Sequence, residues 1–145
     1  MSSNPKPLYE RDFAEWSDRM AALIRAGKFD EVDAENVAEE IESLGRAERK
    51  AVRSQLQRLM MHKIKQTIQP DRETHSWQAS INEARQALVD DIEESPSLRR
   101  HLEENLQKLY ERAAEAAVIE TRIDYCAMPR QCPWTLDSLL EDPRR

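Results

Sequence analysis

The stretch QPDRETHSWQASINEARQALVDDIEESPSL, residues 69–98, contains two proline turns and the apolar helical segment between them. Large apolar residues recur along this segment at helical steps, namely Trp77, Ile81, Leu88 and Ile92. Pro70 precedes the segment, and we expect Ser95 to cap the next helix with Pro96 as its first residue. Because connections this short join antiparallel neighbours, the segment is predicted to lie between two other helices.

Folding the sequence about each turn predicts the register of these neighbours. About Pro70, Val52 falls opposite Leu88, and about Ser95, Leu88 falls opposite Leu102. Both hairpins therefore use one apolar face of the middle helix, which predicts that this helix is the centre of the core.

The same periodicity predicts four long helices in all. The first runs from about Tyr9 to a left-handed stop at Gly27, and the second runs from a cap at Asp33 to Pro70. The apolar stripe of the second helix, which includes Val37, Ile41 and Leu44, rotates after Gly45. Since no turn cluster follows this glycine, we predict a kinked continuous helix rather than two helices. A short helical turn, TLDSLL, is predicted at residues 135–140.

Composition supports an all-α fold. The chain has 145 residues, only two of them glycine, and 34% of its residues are charged. A chain of this size suits one domain, and scarce glycine leaves little material for hairpin turns. We therefore predict an antiparallel up-and-down bundle of four long helices over residues 9–122. Residues 1–8 form a flexible leader in this prediction, and residues 123–145 form a proline-containing tail that docks on the bundle.

A stripe of alternating charge blocks is the most prominent polar feature of the second helix. Its members step by four and three residues from acid to base: Glu35, Glu39, Glu42, Arg46, Arg49 and Arg53. Most of this pattern is typical of a solvated helix face with ion pairs one turn apart. As a candidate polar cluster we select Glu39, Glu42, Arg46, Arg49 and His62.

The basic part of this helix suggests phosphate binding, and the rest of the chain argues against it. Between Arg46 and Lys65 there are seven basic residues and one acidic residue. Folding about Pro70, however, places Asp90, Asp91, Glu93 and Glu94 close to the first of these bases. Such an arrangement would largely cancel the positive field, and the formal net charge of the chain is −6. We therefore expect no nucleic-acid binding.

A metal-dependent or hydrolytic site is an alternative that requires a particular chain path. Glu39 and His62 are about 35 Å apart along a straight helix, so they can share an ion only if the chain reverses at Gly45. The expected role of His62 is that of a core-edge residue with hydrogen-bonded nitrogens, although it could approach His75 across the hairpin. His101 is expected to face solvent. We expect no metal and no cofactor.

The tail contributes two further residues of interest. Cys126 and Cys132 match neither a redox pair nor a zinc set, so we expect ordinary reduced thiols. Trp134 is a candidate docking aromatic, directed either onto the bundle or onto a partner. The chain has no apolar run of about 20 residues and no signal-peptide core at MSSNPKPLYE, so we expect a cytoplasmic protein without a membrane span.

Several motifs occur in a fixed order along the chain: YERDFAEW at 9–16, ENVAEEIESLG at 35–45, LMMHKIK at 59–65, SPSL at 95–98 and CPWTL at 132–136. In this combination the chain resembles the bacterial domain-of-unknown-function family 29, over about residues 8–140. The resemblance implies a small helical domain and supplies no catalytic residues. Members of the family often have an aromatic residue after the lysine of the H-x-x-K segment, where this chain has Gln66.

Two hypotheses about function follow. The first is a non-enzymatic helical module that associates with itself or with another protein. The second is a metal-dependent or hydrolytic enzyme that uses Glu39, Glu42 and His62.

Overall fold

The computed structural model describes residues 5–72, 75–124 and 128–143. It divides into two compact units, an amino-terminal unit of residues Met1–Ala47 and a carboxy-terminal unit of residues Glu48–Arg145. Within the described ranges the chain is helical and contains no strand. The predicted all-α fold is therefore confirmed, and so are its four long helices.

The structure contains six α-helices and two short 3₁₀ turns within these ranges. The helices are α1 Leu8–Arg11, α2 Phe13–Arg25, α3 Ala34–Ile68, α4 His75–Glu94, α5 Ser97–Thr121 and α6 Leu136–Leu140. The 3₁₀ turns are Phe29–Glu31 and Pro70–Arg72. Helix α3 is continuous through Gly45, so the chain reversal required by the metal-site hypothesis is not present.

The predicted first helix is in fact two helices. The chain breaks at Asp12, whose extended backbone and carboxylate cap α2 by accepting a hydrogen bond of 3.0 Å from the Glu15 N–H. An aspartate satisfies an otherwise unpaired N–H at this position, which favours a new helix start. Helix α2 then ends before Gly27, which adopts the predicted left-handed conformation with φ 69°.

The amino-terminal unit buries few side chains. Trp16 and Met20 of α2 are the buried apolar residues among those described in this unit. The Tyr9 ring contacts Trp16 edge-on, with centroids 4.7 Å apart. Tyr9 also donates a hydrogen bond from its hydroxyl to Glu40 of α3, and this hydrogen bond raises the pKa of the tyrosine.

The carboxy-terminal unit contains the main core. Buried apolar side chains come from the second half of α3, from α4, α5 and α6, and from Met128. An ion pair of 3.8 Å between Arg58 and Glu83 joins positions almost equally far from Pro70 on the two sides of the turn. This is the antiparallel register predicted for α3 and α4.

The tail packs on α4 and α5 through specific contacts. Tyr110 of α5 donates to the Pro129 carbonyl oxygen at 2.7 Å, and its ring contacts the Trp134 ring edge-on at 6.0 Å. The buried Arg85 of α4 donates to the Leu139 carbonyl oxygen at 3.2 Å. A capping box between Thr135 and Ser138 starts α6 within the predicted TLDSLL turn.

The start of α5 differs from the prediction. Helix α5 begins at Ser97, and Pro96 occupies the N-cap position. Among the described residues, no side chain caps the start of this helix by a hydrogen bond. The Ser95 hydroxyl is 3.4 Å from Glu48 of α3 and donates to its carboxylate. The predicted serine cap is therefore wrong, because this hydroxyl links the turn between α4 and α5 to α3.

Candidate functional site

The predicted polar cluster is brought together only in part. Arg46 forms a 2.7 Å ion pair with Glu39 and a 3.6 Å ion pair with Glu42, and all three side chains are more than half exposed. Exposed pairs of this kind contribute roughly 0.2–1 kcal/mol, since water and salt screen them. The three residues therefore form a solvated ion-pair network on α3. The other members, Arg49 and His62, belong to the carboxy-terminal unit.

The acidic end of α4 lies beside an acidic residue of α3. Asp91 and Glu94 line a cavity of about 90 Å³ together with Glu48, Val52 and neighbouring residues. Among the residues that the structure describes, no ion pair joins Arg49 or Lys50 to these acids. An acidic residue of α3, Glu48, thus lies at this end of α4, and cancellation of the positive field by the acids of α4 stays a prediction.

Arg53 instead contacts a histidine of α5. Its Nη1 atom lies 2.9 Å from Nε2 of His101, and both side chains are half-buried. Burial lowers the pKa of His101, and the charges of Arg53 and Arg49 lower it further, while Glu104 acts in the opposite direction. The expectation that His101 faces solvent was wrong, since the offset between α3 and α5 places it beside Arg53.

His62 is half-buried on α3, and its Nδ1 atom is fully buried. This nitrogen has no hydrogen-bond partner among the described residues, contrary to the expected hydrogen-bonded pair of nitrogens. Burial lowers the pKa of His62, and the charges of Lys65 and Arg58 act in the same direction. The structure therefore favours the neutral imidazole at this position.

A buried lysine lies one turn along from His62 and was not singled out from the sequence. Lys65 is only 6% exposed, and its ammonium group forms an ion pair with Glu120 of α5. The ammonium also lies 5.8 Å from the centre of the Trp77 ring. The sequence could have indicated its burial, because Lys65 lies three residues before Ile68 on the apolar side of α3.

The candidate docking aromatic packs on its own chain. Trp134 is half-buried, contacts Tyr110, and has the Lys63 ammonium 5.5 Å from its ring centre. Beside it, Cys132 is a free thiol whose pKa is raised by burial. Cys126 lies outside the described residues.

Within the described ranges, no group of three or more histidine, cysteine, aspartate and glutamate side chains converges in a way that could hold a metal ion. None of the helices in those ranges is both long and apolar enough to cross a membrane.

Exposed apolar side chains are concentrated in the amino-terminal unit. Among the described residues, this unit has five large apolar side chains that are exposed, namely Phe13, Ile24, Phe29, Ile41 and Leu44. The carboxy-terminal unit has one, Ile119. Ile41 and Leu44 are 64% and 70% exposed and lie one turn apart on α3. Sequence periodicity had placed both on the apolar stripe of this helix, and the structure leaves that part of the stripe uncovered.

An all-α chain with this helix order defines a helical domain. The chain belongs to the family described as Domain of unknown function DUF29, which matches residues 8–143. Searches of curated proteins and of solved structures found no match.

Proposed function

We propose that this protein is a non-catalytic module for protein association and that its amino-terminal unit provides the contact surface. The observation that supports this most directly is the exposure of Ile41 and Leu44 on α3. Large apolar side chains that lie together on a surface are typical of interaction sites, whereas single ones need no explanation. We call these two residues, with the half-buried Val37 one turn before them, the α3 apolar stripe.

A second copy of the chain is the simplest partner for this stripe. A unit of this size that buries so few side chains gains little stability from its own core, and association is a common remedy. Small residues flank the stripe on the helix surface, with Ala38 and Gly45 on one side and Ala47 on the other. They allow a second helix to approach closely, because interaxial distance depends on the side chains at the contact.

The proposal also includes a cytoplasmic location. Cys132 has no disulfide partner among the described residues, and unpaired thiols are usual in reducing compartments.

The test is the mass of the full chain in solution, measured by sedimentation velocity from low to high micromolar concentration. The unaltered protein is expected to form dimers, and the double variant Ile41→Glu, Leu44→Glu is expected to remain a monomer. Ile119→Glu is the control, because it places a single carboxylate on an exposed apolar position of the other unit. Circular dichroism checks that each variant is folded. An unaltered protein that stays monomeric throughout, or dimers lost equally in the control, would contradict the proposal.

A further inference from the structure

Two arginines and a histidine lie together on the carboxy-terminal unit. Arg49 and Arg53 are one turn apart on α3, and Arg53 places its Nη1 atom 2.9 Å from Nε2 of His101 on α5. A guanidinium group is permanently charged and can only donate hydrogen bonds. Nε2 must therefore accept the hydrogen bond, which means that the imidazole is neutral in this arrangement and has its proton on Nδ1.

Within the part of the chain that the structure describes, the two guanidinium groups lack acidic partners. Among residues 5–72, 75–124 and 128–143, no carboxylate forms an ion pair with Arg49 or Arg53. Glu104 is the acid that acts electrostatically on His101, and its carboxylate is engaged with Arg100 at 2.7 Å. Like charges one helical turn apart repel each other, so a bound anion would reduce the repulsion between the two arginines.

We propose that Arg49, Arg53 and His101 form a binding site for a phosphate monoester dianion. Two guanidinium groups offer planar pairs of N–H donors, which match the oxygen atoms of a phosphate group better than ammonium groups do. A dianion also matches the two permanent charges of the site. The half-buried setting of Arg53 and His101 limits screening by water, so each contact is stronger than on an open surface. The site lies outside the α3 apolar stripe and is independent of the proposed association.

Protonation of His101 is coupled to anion binding at this site. The groups that face the ring are Arg49 and Arg53 from α3 and Glu104 from its own helix. Without an anion, a proton on the ring removes the acceptor for Arg53 and adds a third positive charge. With a phosphate dianion bound, that third charge is stabilised and the ring becomes another donor. The bound anion therefore raises the pKa of His101. By linkage, phosphate binding favours protonation of His101, and protonation of His101 tightens phosphate binding by the same factor.

The experiment is an NMR titration of the full chain, which has only three histidines to assign. The ring signals are followed against pH in inorganic phosphate and, separately, in sodium chloride of the same ionic strength. We expect phosphate to raise the pKa of His101 by about one unit, which corresponds to a tenfold coupling. His62 serves as the internal control and should keep the same pKa in both salts.

Three variants separate a defined site from general attraction to positive charge. Arg49→Gln and Arg53→Gln should each abolish most of the phosphate-induced shift, whereas Arg112→Gln, which removes an exposed arginine from α5, should preserve it. Arg49 is exposed, so its variant is expected to fold even if the Arg53 variant does not. Repeating the titration with O-phosphoserine distinguishes a free phosphate ion from a phosphorylated molecule, and a shift with either ligand supports the site. Equal pKa values of His101 in phosphate, phosphoserine and chloride, or equal losses in Arg49→Gln and Arg112→Gln, would overturn it.

Discussion

His62 is held at a position where its protonated form is disfavoured. Its ring lies partly buried, with Nδ1 enclosed and the cations Lys65 and Arg58 nearby, so its pKa is lowered relative to the unfolded chain. As pH falls through about 6.5, the unfolded state takes up the proton first. The free energy of unfolding therefore decreases on acidification below that pH and is independent of this residue above it.

This pH dependence can be measured by urea unfolding at about pH 7.5 and about pH 5.5. The variant His62→Gln should lose less stability between the two pH values than the unaltered protein, since it lacks the titrating group. His75→Gln is the control, because His75 is exposed at the start of α4, and it should behave like the unaltered protein. An equal response of all three proteins would show that His62 does not contribute.

Lys65 and Glu120 provide a second test at the residue scale, because only one partner of this ion pair is buried. Replacing Glu120 with alanine leaves the ammonium group buried without its carboxylate and should lower the free energy of unfolding by about 1–2 kcal/mol. Lys65→Met should cost less, since methionine keeps the apolar stem and removes the charge. Glu115→Ala, at an exposed position of the same helix, should have little effect. A Lys65→Met variant that is the less stable of the two would contradict this account.

At the scale of elements, the junction between α2 and the following 3₁₀ turn depends on one backbone angle. Gly27 has φ 69°, and an added Cβ atom would meet nothing within 4 Å, so any cost of substitution comes from the backbone alone. Gly27→Ala should destabilise the protein by about 1 kcal/mol. Gly27→Asn should cost less, because asparagine tolerates the left-handed region. Thermal unfolding followed by circular dichroism ranks the two variants, and equal losses would argue against backbone strain.

The helices themselves were largely predictable, because apolar periodicity reports which side of a helix faces inward. Periodicity and turn residues correctly gave the four long helices, the stop at Gly27 and the register about Pro70. They did not reveal the break at Asp12, since a single cap within a periodic segment changes the pattern little. They also did not show that Ile41 would stay exposed, because a pattern identifies an apolar face and not what covers it.

The candidate sites were less predictable than the helices for a geometric reason. Folding the chain about a turn aligns consecutive helices, and helical spacing alone identified the Glu42 to Arg46 pair within α3. The contact between Arg53 and His101 joins α3 to α5, which are not consecutive, and their relative offset depends on two turns and on packing against α4. A small error in the predicted geometry of each turn is therefore enough to place His101 in solvent instead of beside Arg53.

At the scale of the whole molecule, the two units differ in how much apolar surface they bury. The described part of the amino-terminal unit buries Trp16 and Met20, whereas the carboxy-terminal unit has a core to which α3, α4, α5 and α6 contribute. Local opening is easiest where few apolar contacts hold an element in place. The amino-terminal unit is therefore expected to open more readily, which suits a surface that gains contacts when a partner binds.

Hydrogen exchange measured by mass spectrometry tests this expectation on the intact chain. Peptides from α2 should exchange their amide hydrogens faster than peptides from the centre of α5, because exchange follows the free energy of local opening. Raising the protein concentration should slow exchange in residues 34–47 if a second copy covers the α3 apolar stripe, and it should leave α5 unchanged. The variant Ile41→Glu, Leu44→Glu should show no such concentration dependence, whereas Ile119→Glu should retain it. Equal protection of α2 and α5 would contradict the difference between the units, and exchange independent of concentration would contradict self-association through the stripe.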